Sequence, residues 1–368
     1  MDEKRRGDLV RKIITQVRER EYPYERRHAK EIRWTSYDVA QCNEIADVIE
    51  LIRVLVDRAE ERLSARNPPS PRGPGRPPVS PADVTKVLLA QSYFGAPNRV
   101  AEGILRLLWR NLGLQEPFSY KTIERGYDKA AVNALLDEIL TLTNLPVRGL
   151  EKIFSIDGSG SPTRSRQNYA DDRGRQRRKS GGARASRAAF PKGKMDYVYS
   201  VATVGVSYKL VSSWHNTTDH SIGELSFFDV SMRDTHSRHP DMAMVSGDGM
   251  FATRPCCKLV GELGAVPRFL PRRNVTFKRR GVVEWVDMLC DLVDDPQQWL
   301  SDYYQREASE SVNSAIKRKN PWPLRKRLDG RRCTEDKLRG LCYNVRQLCY
   351  LRYLADLSVL PVIMSSAS

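Results

Sequence analysis

Hydrophobic residues recur along the 368-residue chain in two different rhythms. In the first part the spacing is helical. Ile45, Val48, Ile49, Ile52, Val54 and Leu55 mark one amphipathic helix within a charged, helix-prone stretch. Helical patterns follow over Ala82–Phe94, Arg99–Leu112 and Tyr120–Thr143, separated by Gly95-Ala96-Pro97-Asn98 and by Gly113–Phe118. Further on the rhythm shortens. Lys152–Ile156 and Met242–Val245 read as buried strands that end near an aspartate followed by glycine, Asp157-Gly158 and Asp248-Gly249. Asp196–Val204 and Ser207–Ser212, rich in β-branched and aromatic residues, flank Gly205 and predict a hairpin in the same sheet. Thr218-Asp219-His220-Ser221 leads into a periodic run, Ile222–Met232, which predicts a helix with Asp219 and Ser221 as turn or capping residues and His220 structural. Leu338–Leu354 predicts a closing helix packed on the sheet.

Between the rhythms lies a visible boundary. Residues 66–82 are too rich in proline for helix or sheet and predict an extended linker. Within it Gly75-Arg76-Pro77 resembles the core of an AT-hook, which lays arginine in a narrow minor groove; a plain spacer explains the same residues. The layout expected is therefore a helical region at 1–65, the linker at 66–82, a helical DNA-binding domain at 83–147 and an α/β domain at 148–360. The amphipathic helix of the first region offers a face for a second subunit. Ser119–Arg125 reads as the start of a helix-turn-helix recognition helix or, equally, as a capped third helix of an ordinary bundle.

Charge points to a polyanionic partner. Lys and Arg number 61 against 45 Asp and Glu, a net charge of +16. The excess is concentrated between Arg164 and Lys194, where Arg175, Arg177, Arg178, Lys179 and seven further basic residues face only Asp171 and Asp172. Such a Gly- and Ser-containing run predicts a loop that holds phosphates without reading bases. The seven cysteines form no C-x2-C pair, which argues for reduced thiols and against a disulfide frame or a zinc ribbon. His236 and His239 lack the partners of a zinc site. No apolar stretch is long enough to span a bilayer, and the start, Met-Asp-Glu-Lys-Arg-Arg, continues into a charged helix; a cytoplasmic, nucleoid-associated protein is expected.

The most informative residues stand near the C-terminus. Tyr303, Arg306, Glu310 and Lys317 have the spacing Y-x2-R-x3-E-x6-K. On one continuous helix they fall within an arc of about 60°. A solvated helix with an Arg306–Glu310 pair accounts for that stripe alone. Asp157 and Asp248 change its weight, because two strand-end carboxylates and a third from a helix can converge on one sheet edge. Clustered carboxylates repel unless protonated or bridged by cations, and hard oxygen ligands select Mg²⁺ or Mn²⁺.

With these residues the chain resembles the DDE transposases of bacterial and archaeal insertion sequences, over roughly residues 148 to 355. At Asp248-Gly249-Met250-Phe251 it departs from the D-x-G-Y type sequence common in that family. The resemblance implies a ribonuclease H-like mixed sheet flanked by helices, preceded by an all-α DNA-binding region. It implies Asp157, Asp248 and Glu310 as the catalytic triad holding two Mg²⁺ (or Mn²⁺) ions, and Tyr303, Arg306 and Lys317 as contacts to DNA phosphates. In such a fold the first strand leads into a hairpin, so the basic run would lie at the rim of the site. The expected partners are double-stranded DNA, as element ends and target, and a second subunit in the DNA complex. Trp285, Trp299 and Trp322, all near Glu310 in sequence, are candidates for stacking a displaced base, Trp299 first. A non-catalytic DNA-binding protein of transposase descent is the alternative, and a ribonuclease H-like nuclease without strand transfer a remoter one.

Overall fold

The computed structural model describes residues 3–24, 31–66, 79–163 and 197–365. Helices α1 (Glu3–Glu19), α2 (Trp34–Arg66), α3 (Pro81–Phe94), α4 (Asn98–Leu108), α5 (Tyr120–Gly126) and α6 (Ala130–Asn144) precede a sheet. Its strands are β1 (Ile153–Pro162), β2 (Tyr197–Gly205), β3 (Val211–Thr217), β4 (Met244–Gly247) and β5 (Val266–Phe269), in the order β3-β2-β1-β4-β5. The first three are antiparallel neighbours, whereas β4 runs parallel to β1 and β5 parallel to β4. Helices α7 (Phe228–Arg238) and α8 (Arg254–Glu262) lead into β4 and β5, and α9 (Val283–Asp294), α10 (Pro296–Tyr303), α11 (Glu307–Lys319), α12 (Asp329–Leu354) and α13 (Val359–Ser365) follow.

Alternation along the strands explains why both faces of the sheet are covered. Successive side chains of a strand point to opposite faces. Phe154 and Ile156 of β1, with Val201, Val245 and Phe269, join apolar residues of α1, α7, α8, α9 and α10 in one cluster. Ala202, Val204 and Trp214 join residues of α2, α3, α6, α11 and α12 in another. Ser155 and Asp157, alternating with Phe154 and Ile156, belong to this second face. Helix, sheet and helix thus make three layers.

Several expected boundaries shift, each for a tertiary reason. β1 does not end at Asp157 but continues to Pro162, because β2 pairs with it as far as Pro162↔Tyr197. The pattern over Tyr120–Thr143 is two helices, α5 and α6, interrupted at Tyr127-Asp128-Lys129, where the buried Tyr127 donates its hydroxyl hydrogen to Gln91 of α3. The run Ile222–Met232 begins with a 3-10 turn at Glu224–Phe227, and the α-helix starts only at Phe228. Asp219 is the turn residue expected, its carboxylate accepting both the backbone N–H and the hydroxyl of Ser221. β3 starts at Val211, after a turn in which Lys209 takes φ 56°, and runs to Thr217.

The N-terminal region divides in two. Val10, Ile13, Ile14 and Val17 bury the apolar face of α1 among Phe277, Trp285 and Leu289 of the same chain. In α2, Val48, Ile49, Ile52 and Leu55 are buried against the following helices and α12, while Ile45 stays 58% exposed. The apolar stripe foreseen for subunit pairing is thus mostly occupied within the chain. The Gly75-Arg76-Pro77 motif lies outside the described residues.

One buried carboxylate ties α12 to three strands. Asp336 is 1% exposed and accepts from Ser161 of β1 (2.5 Å), Ser200 of β2 (2.6 Å), and Trp214 Nε1 and Asn216 Nδ2 of β3 (both 3.0 Å). A charge so deep is tolerated because all its donors are supplied. Removing it strands four donors in the interior. Asp336→Ala should lower the unfolding free energy by about 3–5 kcal/mol in urea titrations, with Asp336→Asn costing less because it keeps one acceptor.

Candidate functional site

Strand pairing sets the two aspartates at one level. β1 and β4 are in register from Ile153↔Met244 to Ile156↔Gly247, so Asp157, still within β1, and Asp248, just past the end of β4, are the next residues along the two segments. Asp157 follows Ser155 by two positions within β1, which puts it on the second face, under α11. Asp248 has left the strand: its carboxylate accepts the Met250 N–H at 2.7 Å and caps a tight turn. Gly158 allows close packing beside Asp157, since a Cβ there would push aside the hydroxyl of Tyr199 and the carboxylate of Glu224.

The third carboxylate is delivered by α11, which rests on β1 through hydroxyl groups. The Ser155 and Ser309 hydroxyls lie 2.6 Å apart, and both reach the Arg306 carbonyl, at 3.0 and 2.8 Å. Ser155, Ser246 and Ser309 are essentially inaccessible, so the helix approaches the sheet on its smallest polar residues. One turn past Glu310, the buried Asn313 donates its amide to Asp157 Oδ2 at 3.0 Å. Sequence reasoning passed over Asn313; the available signal was its i+3 position relative to Glu310, which places the two on one helix face. Asp157, Gly158, Ser159, Glu310, Asn313 and Lys317 line one open groove.

The tyrosine-to-lysine motif does not lie on one continuous helix. α10 ends at Tyr303, a 3-10 turn spans Tyr304–Arg306, and α11 begins at Glu307. The tighter turn lets Arg306 fold back, with its guanidinium 5.4 Å from the centre of the Tyr303 ring and paired to Glu310. Tyr303 itself is 6% exposed, stacked on Trp299 with ring centres 5.5 Å apart. Burial pushes its hydroxyl pKa up. Glu310 and Lys317 are exposed on the groove. Trp299 and Trp285 are core residues at 1% and 5% exposure, which corrects their candidacy for base stacking; Trp322 remains partly open. His239 is buried against Phe154, on the other face of β1 from Asp157, and burial lowers its pKa to about 4. Arg175, Arg177, Arg178 and Lys179 lie outside the described residues; the paired Pro162 and Tyr197 flank their segment, five positions beyond Asp157 along β1.

Asp157 itself sits partly buried among negative charge. Burial raises the pKa of Asp157, the negative charges of Glu310 and Glu224 add to the rise, and the Asn313 amide opposes it. As a donor set, three carboxylates suit a hard divalent cation. Among the described residues, however, no three His, Cys, Asp or Glu side chains are gathered into a ready cage: Arg306 engages Glu310, and Asp248 caps its own turn.

A raised carboxylate pKa means that the charged form is disfavoured in the folded state. That penalty is absent below the unfolded pKa, where both states are protonated, and complete above the folded one. Asp157→Asn should therefore unfold at a higher temperature than the wild type at pH 7, with the gap closing as the pH falls into the carboxylate range. Thermal melts across that pH range measure it, and an advantage that persists at acid pH would contradict the assignment.

No family model and no solved structure matches the chain. A sequence relative does: the chain is 27% identical over 249 residues, covering 67% of its length and 69% of the relative's, to a protein of Archaeoglobus fulgidus described as a probable transposase for insertion sequence element ISA1214.

Proposed function

We propose that this protein is a DDE transposase, which cuts and joins DNA at the ends of an insertion sequence by Mg²⁺-dependent phosphoryl transfer. The observation that carries the reading is α11 docked on β1 so that Glu310 shares a groove with Asp157, while the β1–β4 register brings Asp248 to the end of the neighbouring strand. The similarity to a probable insertion-sequence transposase supports it independently. The sheet, in which the first strand leads into the β2–β3 hairpin, supports a ribonuclease H-like class.

In this reading Asp157, Asp248 and Glu310 hold Mg²⁺ or Mn²⁺, two ions per site. When bound, the ions activate the attacking hydroxyl and stabilise the leaving oxygen of an in-line displacement. The remaining chemistry belongs to the chain. Asn313 donates to one oxygen of Asp157 and so holds the carboxylate at the groove wall. Arg306 holds Glu310 until substrate and metal arrive, and its planar fork then suits a phosphate. Tyr303, packed under Arg306, sets the height of that guanidinium. Lys317, exposed on the groove, supplies a point charge to a non-bridging phosphate oxygen. The basic run with Arg175, Arg177, Arg178 and Lys179 adds contacts to the duplex backbone. Two element ends must meet for joining, so a homodimer in the DNA complex belongs to this reading. No described helix is long and apolar enough to cross a membrane.

Cleavage of a DNA carrying the element's own ends should require Mg²⁺ or Mn²⁺. Asp157→Asn, Asp248→Asn and Glu310→Gln should each reduce it by on the order of a hundredfold or more while binding is retained. Binding without cutting by the wild type would point instead to a DNA-binding protein of transposase descent.

A further inference from the structure

A second cleft adjoins the carboxylate groove and takes no part in the chemistry above. It is about 490 Å³ in volume and lies between the α3–α4 junction, α5 and the segment from Asn320 to Arg331. The short stretch Asn320-Pro321-Trp322 forms the partition: Pro321 lines the carboxylate groove, and Asn320 and Trp322 line the cleft. A volume of this size suits a nucleotide-sized ligand rather than a duplex.

Its wall is built for an anion with an aromatic body. Five basic side chains, Arg325, Lys326, Arg327, Arg331 and Arg339, line it against two carboxylates, Glu124 and Glu335. Both carboxylates are already engaged. Glu124 accepts from Lys326 and Arg331, and Glu335 accepts the backbone N–H groups of Arg325 and Lys326 and pairs with Arg339. Lys326 and Arg339 are buried and Arg331 is also paired with Asp128, so the exposed Arg325 and Arg327 carry the positive charge at the opening. Arg325 lies over the Trp322 ring, 4.9 Å from its centre, and donates to the Gly95 carbonyl. Gly95 is held at φ 60°, and a Cβ there would overlap the ring, so the tryptophan seats directly against the α3 terminus. Lys317, Arg318 and Arg327 are exposed, and none of them takes part in an ion pair among the described residues. Lys317 and Arg318 line the carboxylate groove and Arg327 lines the cleft, so free cations stand on both sides of the partition.

We infer that this cleft binds an unpaired stretch of the nucleic-acid strand whose phosphate occupies the carboxylate groove. Basic tracks with an interleaved aromatic or arginine plane are the general device for holding single strands, because every base has a face to stack and every nucleotide a charge. The inference rests on the DNA reading above and extends it to a single-stranded segment.

The test is fluorescence anisotropy with the full chain, using a labelled oligo-dT of about 20 nucleotides and a mixed-sequence duplex as probes. Trp322→Ala should weaken oligo-dT binding by about five- to a hundredfold. Arg327→Ala, a surface change that leaves packing intact, should weaken it too and reduce the salt slope of single-strand binding by about 0.7. Duplex affinity should change far less in both variants. The proposal is overturned if the wild type does not bind oligo-dT, if both variants bind it like the wild type, or if both lose duplex and single strand alike. Intact duplex binding in such a case would confine the failure to the cleft, whereas loss of all DNA binding by the wild type would remove the transposase reading as well.

Discussion

Everything proposed for this site depends on how closely α11 can lie on β1. A helix resting on a sheet is usually held off by large apolar side chains. Here the contact is made by the hydroxyls of Ser155 and Ser309 and the carbonyl of Arg306, with Ser246 on the neighbouring strand equally small and buried. Hydroxyls that bond one another exclude water from the contact without leaving unpaired polar atoms. The result is a short spacing that brings Asn313 to hydrogen-bonding distance of Asp157 and keeps Glu310 on the same groove.

That spacing is stabilised from both sides of the sheet. On the α11 side, Asp336 locks α12 to β1, β2 and β3, so the antiparallel part of the sheet and its covering helix move as one body. On the other side the N-terminal arm braces the loops at the strand ends. Arg18 donates to the Pro271 carbonyl and reaches the Gly249 turn beside Asp248, while Tyr24 packs on Tyr304, with ring centres 4.7 Å apart, next to the Arg306 turn. Residues far apart in sequence thereby fix the positions of both Asp248 and Arg306.

The electrostatic balance follows from the same packing. Burial raises the cost of the charge on Asp157, and the negative charges of Glu310 and Glu224 add to it. The Asn313 amide offsets part of that cost, while Arg306 pairs with Glu310. The divalent cation proposed for this site would meet that negative charge, which connects the electrostatics of the fold to the proposed chemistry.

The chain's own sequence determined the parts that rest on local chemistry. The strands before Asp157 and Asp248, the hairpin around Gly205, the helix over Ala82–Phe94, the Leu338–Leu354 part of α12, and the turn role of Asp219 follow from apolar periodicity and turn residues, which act within a few positions. The tertiary structure decided what requires distant partners. β1 runs past Asp157 because β2 pairs with it, and the Tyr303–Lys317 stripe is broken by a 3-10 turn that packing of Tyr303 on Trp299 accompanies. Trp299 became core rather than a stacking surface, Asn313 entered the site, and Trp322 settled against Gly95 beside a second cleft. None of these is written in spacing along the chain, because each depends on which face of one element another element comes to cover.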